Sequence, residues 1–355
     1  MHINHNIIEK DQLTELIKQV QLNCHIADAL HAGDYTLCIY LLKMREFYRW
    51  EQAATFSTNL ENKAVGSWLR QREELWDNLE DSDYLDINHG DHSFSPFDSD
   101  LINEYLITHQ LIYSGGMGIN NRPHFFLAEL ELYEQHNEYT LYVVDKEYAR
   151  DMSAPPAMSH NKNIYIRKES FRRLLWEKLE TWRWNKPNNA LGRAFACYDC
   201  DNNLDDALSQ MTNTEIQNVI QHERGEIQAG ELLGKSWQEL LFSLPHSKAS
   251  IILRAIRDHL ADSLTTLPAL LALNSAPSWH FYFGNLNNMR KDLYPSIIRA
   301  YEEWNETGSL SKMSGVINQS KQHWLNLCLQ VMQTKQLNIK EQQIEIQNLI
   351  ENHRL

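Results

Sequence analysis

Three short runs in the middle of the chain constrain its fold more than any other feature. Residues 123–133 (PHFFLAELELY), 139–145 (YTLYVVD) and 163–168 (NIYIRK) each mix β-branched and aromatic residues. That composition suits a pleated, half-buried surface. The polar EQHNE between the first two suits a hairpin loop, and MSAPPAMSHN before the third reads as a Pro-containing loop.

Around these runs the apolar spacing is helical. Residues 10–79 read as helices, with Leu30, Leu37, Tyr40, Leu41, Met44, Phe47 and Tyr48 near a 3.6-residue period and a break at Gly33-Asp34. A second amphipathic stretch, 64–79, buries Val65, Trp68, Leu69 and Trp76. Residues 81–100 are rich in Asp, Ser, Gly and Pro and read as a linker, followed by a short helix over 101–109. Helix returns at 170–184, then a loop over 185–203 with an apolar patch at 194–197. Thr212 and Glu215 fit a capping box opening a helix that Gly234 stops, with Ile216, Val219, Ile220 and Ile227 as its buried stripe. A further helix spans 247–273, the cluster WHFYFG after Pro277 interrupts the pattern, and helices resume over 312–354. The expected architecture is α+β and predominantly helical, with a small sheet packed on the helix at 212–234. Three parts are expected: a helical domain over 1–110, an α+β domain over 111–275 and a helical extension over 276–355.

The formal net charge of −14 argues against phosphate-backbone binding, which needs clustered Lys and Arg, so no nucleic-acid partner is expected. No run of about 18 apolar residues occurs, so no membrane span is expected. The first twenty residues lack a charged start followed by an apolar block, the pattern of a secretory signal. Cys24, Cys38, Cys197, Cys200 and Cys328 are an odd number in a long chain, which fits a reducing compartment, so the expected location is cytoplasmic.

The stretch with most chemical content is His222-Glu223-Arg224-Gly225-Glu226. His222 and Glu226, four apart, lie one turn apart on one helix face, as two ligands of one ion require. Glu223 follows the first His, where a zinc hydrolase keeps the general base that deprotonates metal-bound water. The competing reading is a solvated helix face with i,i+4 pairs.

The helix, with Met211–Glu215 and Val219-Ile220-Gln221 ahead of HERGE and Gln228-Ala229-Gly230 after it, resembles the active-site helix of CAAX-prenyl-endopeptidase-like zincins. That pattern runs through apolar residues into HExGH. The resemblance spans about residues 154–268, with an insertion at 178–210, and includes a strand-like NIYIR ahead of a helix at Ser170. It implies a third ligand from an ExxAD motif, where this chain has His259-Leu260-Ala261-Asp262. Glu226 stands for the second His and His259 for the Glu, so the set His222, Glu226 and His259 remains two imidazoles and a carboxylate, a catalytic zinc set with an open position. Asp262 would then hold a ligand imidazole from outside the metal. The resemblance implies a zinc-dependent, peptidase-like hydrolase acting on a peptide or small molecule, or a descendant keeping only the metal.

Two other readings use the same chain. One is a non-enzymatic interaction or regulatory protein, favoured by the aromatic content and the long C-terminal helices. The other is a di-iron helical oxidase, with Glu231, Glu239 and Asp258 joining the set. Elsewhere, Cys24, His25, Asp28, His31 and Asp34 read as an ordinary helix surface, and Cys197 and Cys200 as structural despite their CxxC spacing. Ser114–Gly118 (SGGMG) lacks the Lys-Ser/Thr of a phosphate loop. The run Trp279–Phe283 reads as core, with His280 or Tyr282 as oxyanion donors if the zincin reading holds.

Overall fold

A computed structural model describes residues 8–118, 122–160, 162–244 and 247–355. The chain divides into two compact units: residues 1–178 with 201–212, and residues 179–200 with 213–355. The N-terminal helices belong with the sheet, because helix α1 (Lys10–His31) lies on its strands.

The first unit holds α1, α2 (Leu37–Glu51) and α3 (Asn62–Asp77), the hairpin β1 (Ile87–His89) and β2 (His92–Phe94), and α4 (Ser99–Leu106). The Asp-, Ser- and Gly-rich stretch expected as a linker thus carries a small hairpin. Strands β3 (Leu111–Met117), β4 (Pro123–Gln135), β5 (Thr140–Arg150), β6 (Ala157–His160) and β7 (Asn163–Arg167) form one sheet in the order β3-β4-β5-β7-β6. The first three are antiparallel neighbours, β5 and β7 are parallel, and β6 returns antiparallel on β7, so part of the expected Pro loop is an edge strand. Period-2 alternation sends Tyr113, Phe125 and Leu127 to one face, where Leu16, Val20, Cys24 and Ala27 of α1 cover them. The opposite face buries Ile112, Phe126, Ala128, Tyr142, Val144 and Tyr165.

The second unit is helical. Helix α5 (Lys168–Asn185) follows β7 and counts with the first unit up to Lys178, and α6 (Ala190–Phe195) occupies part of the expected loop, capped by Asn189 accepting from the Gly192 amide. Helix α7 (Leu204–Ser243) starts well before Thr212. The expected capping box is therefore absent. Thr212 Oγ1 donates back to the Leu208 carbonyl, and Glu215 Oε1 accepts from Ser278 and Oε2 from Asn218. Gly234, at φ 65° and ψ −169°, breaks α7 where the sequence placed its stop. Then follow α8 (Lys248–Ala261), a π-helical turn (Asp262–Thr266), α9 (Leu267–Leu273) and α10 (Ala276–Asn285). The aromatic run WHFYFG does not interrupt the helices; it is α10, with Pro277 in its first turn, where a missing N–H costs nothing. Helices α11 (Asn288–Leu293), α12 (Pro295–Thr307), α13 (Ser311–Gln333) and α14 (Ile339–Asn352) complete the unit around Trp237, Leu253, Ile256, Trp279, Trp324 and Ile346. No helix among the described residues is long and apolar enough to cross a membrane.

Candidate functional site

Two local features bring the HERGE and HLAD stretches together. The first is Gly225. A Cβ at this position would lie 2.3 Å from the Ala261 carbonyl oxygen and 2.5 Å from Thr265 Oγ1, so only glycine lets α7 reach the end of α8. Thr265 Oγ1 uses the approach to donate to the Gln221 carbonyl at 2.6 Å. The second is the π turn. The Leu267 amide bonds back to the Asp262 carbonyl, five residues away, and the following Pro268 has no amide to offer a tighter turn. Single-turn π segments recur at functional sites, and this one begins at Asp262.

Asp262 is the hub. Its side chain is 1% exposed, and its Oδ1 accepts from His222 Nδ1 at 2.8 Å. Its Oδ2 accepts from the Tyr282 hydroxyl at 2.9 Å and from Arg290 Nη2. Burial alone would raise this carboxyl, but Arg290 and His222 hold it well below the usual carboxylate range. On the His222 ring, burial acts downward, yet the Asp262 charge and hydrogen bond, with Glu226 and Glu223 behind them, raise it to about 10. At neutral pH His222 is an imidazolium, with both ring nitrogens protonated.

The remaining expected ligands take other partners. Glu226 Oε2 pairs with Arg257 at 2.6 Å. His259 is fully buried, stacked on Trp324 at 4.7 Å between ring centroids, with the Tyr294 ring edge-on at 5.3 Å. Its Nε2 donates to the Arg290 carbonyl at 3.0 Å, since a carbonyl only accepts, which leaves Nδ1 the bare nitrogen. Burial and then Arg290 push the ring down to about 3, so it is neutral. Asp258, one turn before Asp262, is raised to about 6, chiefly by burial against the pull of Arg290 and with Glu226 adding repulsion.

Of the residues singled out in the sequence, His222 and Asp262 meet directly, with Glu223 and Glu226 close enough to act on the ring. His259 does not join them through its ring: it serves the Arg290 carbonyl and the aromatic stack. Among the described residues, no group of three or more His, Cys, Asp or Glu side chains is arranged to hold a metal ion. Tyr282, considered as an oxyanion donor, donates to Asp262, while His280 pairs with the Tyr301 hydroxyl at 2.8 Å. Arg290 was missed altogether, because a pairing across 28 residues leaves no local signal. The other sets disperse as well. His25 meets Arg72, Asp28 accepts from the Met152 amide, and His31 pairs with Asp34 at 3.2 Å. Cys197 is exposed, and Cys200 is buried with its Sγ facing the Phe195 carbonyl.

Fold and site thus define a chain with an N-terminal unit of helices and mixed sheet, and a helical C-terminal unit built on a buried ionic cluster. It belongs to a family of unknown function, DUF6866: residues 15–167 match that family's N-terminal domain and residues 172–353 its C-terminal domain. No curated protein and no solved structure matches it.

Proposed function

We propose that this chain is a non-enzymatic interaction protein in which the HERGE and HLAD stretches form a structural ionic cluster. The observation that carries this reading is the separate engagement of each candidate ligand: His222 by Asp262, Glu226 by Arg257, His259 by the Arg290 carbonyl and Trp324. The Asp262 contact is one that a ligating imidazole would also keep on its Nδ1, so the weight of this reading rests on the engagement of Glu226 and His259. An interaction role is further supported by the first turns of α2, where Leu37 and Leu42 are 69% and 62% exposed and Ile39 and Leu41 lie beside them.

A zinc-dependent hydrolase, the activity that the zincin resemblance implies, is the second reading. It draws support from two buried atoms without a hydrogen-bond partner, His259 Nδ1 and Glu226 Oε1. In it His222, Glu226 and His259 bind zinc and Glu223 is the base; iron at the same residues would instead belong to the oxidase reading.

Metal analysis of the purified protein beside His222→Ala and His259→Ala separates these readings. The interaction reading expects no stoichiometric metal in any of the three, with both substitutions lowering the melting temperature. One zinc per chain, lost in both variants, would overturn it in favour of the hydrolase, and two irons in favour of the oxidase.

A further inference from the structure

The first unit carries a cationic cluster that the proposed role does not use. Tyr35 follows the short 3₁₀ turn after α1, and two cations lie over its ring: Lys43 Nζ at 5.3 Å and Arg122 Cζ at 4.6 Å from the centroid. Arg122 also donates to the Tyr35 hydroxyl and the His31 carbonyl, which fixes the guanidinium in place. Arg173 adds a third cation. It is 6% exposed and donates to the carbonyls of Ser153 and Ala154, with its Nε facing Glu177.

The anions nearby are already engaged. Asp34, mostly exposed, pairs with Arg122 at 3.2 Å, and Glu177 lies 3.6 Å from Arg173. Asp151 accepts from the Phe125 and Ala154 amides and faces His124, and Asp28 accepts from the Met152 amide. Lys43 is the cation left over. It is half-buried, and among the described residues no carboxylate lies within ion-pairing distance of it. Arg173 and Arg122 face it as like charges, with Glu177 and Asp151 opposing them, and burial with Arg173 lowers its affinity for a proton. A half-buried ammonium among other cations is costly without a counter-ion. The Tyr35 hydroxyl accepts from Arg122 and so has its own proton to give.

We propose that Lys43, Arg122 and Tyr35, backed by Arg173, bind a small doubly charged oxyanion of the phosphate class, with Lys43 as the deciding residue. A divalent anion answers Lys43 and Arg122 together, where a carboxylate would answer one. The free ion and the phosphate ester of a side chain share this chemistry, so inorganic phosphate and phosphoserine are titrated separately.

The experiment is calorimetric titration of the full chain at constant ionic strength, with chloride and acetate as controls. Saturable binding of phosphate or phosphoserine is expected. It should weaken about 10-fold or more in Lys43→Met, as loss of a charge-assisted hydrogen bond implies, and return within a few-fold of wild type in Lys43→Arg. No saturable binding of either, or equal binding by Lys43→Met, overturns the proposal. Should Lys43→Met fail to fold, acylation of wild-type lysines read by mass spectrometry decides. Phosphate should protect Lys43 selectively, and equal labelling with and without saturating phosphate overturns the site.

Discussion

Gly225 shows how one side chain, or its lack, sets the chemistry around it. In sequence it is the fourth residue of HERGE; in the fold it is the point where α7 touches the end of α8. A methyl group there meets a backbone carbonyl, which cannot swing aside as a flexible side chain can. Gly225→Ala is expected to cost about 3 kcal/mol by overpacking, read by urea unfolding. A loss below ~0.5 kcal/mol would mean that the helices do not approach this closely. Asp262 supplies a second comparison. Its removal leaves two cations facing a buried gap, so Asp262→Ala should cost about 3–5 kcal/mol. His222 is 34% exposed, and water screens its share, so His222→Ala should cost only about 1–2 kcal/mol. The order of the two losses is the test, and a larger loss for His222→Ala would contradict the hub role of Asp262. The sequence made His222 and Asp262 visible because motif spacing singles out such residues. It concealed Arg290 and Tyr282, whose roles depend on how α10 and α11 return to α8.

At the scale of elements, legibility followed local periodicity. Strands β4, β5 and β7 were readable because β-branched and aromatic residues alternate in them, and Gly234 was readable as the end of a helical pattern. Helix α10 was not, since Trp, Phe and Tyr favour strands intrinsically and only burial against Tyr301 and Trp304 makes them helical here. The start of α7 was hidden although Leu204, Ala207, Leu208 and Met211 keep helical spacing, because the Thr212–Glu215 pattern offered a more conspicuous start. At Gly234 nothing lies within 4 Å of a would-be Cβ, so the demand for glycine is purely backbone. Its φ and ψ fall in a region that only glycine populates freely. Gly234→Ala is therefore expected to cost about 1–3 kcal/mol without disturbing any contact. Thermal unfolding by circular dichroism checks the cost, and a variant as stable as wild type would argue for a regular helix through this point.

At the scale of the molecule the buried ionisable groups combine into a stability profile with a definite shape. His222 is raised in the folded state, so its contribution is full below about 6.5 and is lost as the pH climbs through about 10. Carboxyls held above their usual range by burial, among them Asp258 and Glu215, gain stability as the pH falls toward 4. His25 and His259, both lowered to about 3, act in the opposite direction over that interval, because unfolding frees them to take up protons. Below about 4 the depressed carboxylates Glu147, Asp151 and Asp262 must be protonated, and their stabilisation goes. The net charge of −14 adds self-repulsion that eases as the pH falls from neutral. Melting temperature should therefore peak between about pH 5 and 7, fall gently toward pH 10 and collapse below about pH 4. In His222→Ala the alkaline slope should flatten while the acid collapse persists, since the latter belongs to the carboxylates. A melting temperature that rises steadily to pH 9 in the wild type would mean that His222 is neutral in the folded protein, and with it the charged pairing to Asp262 would have to be abandoned.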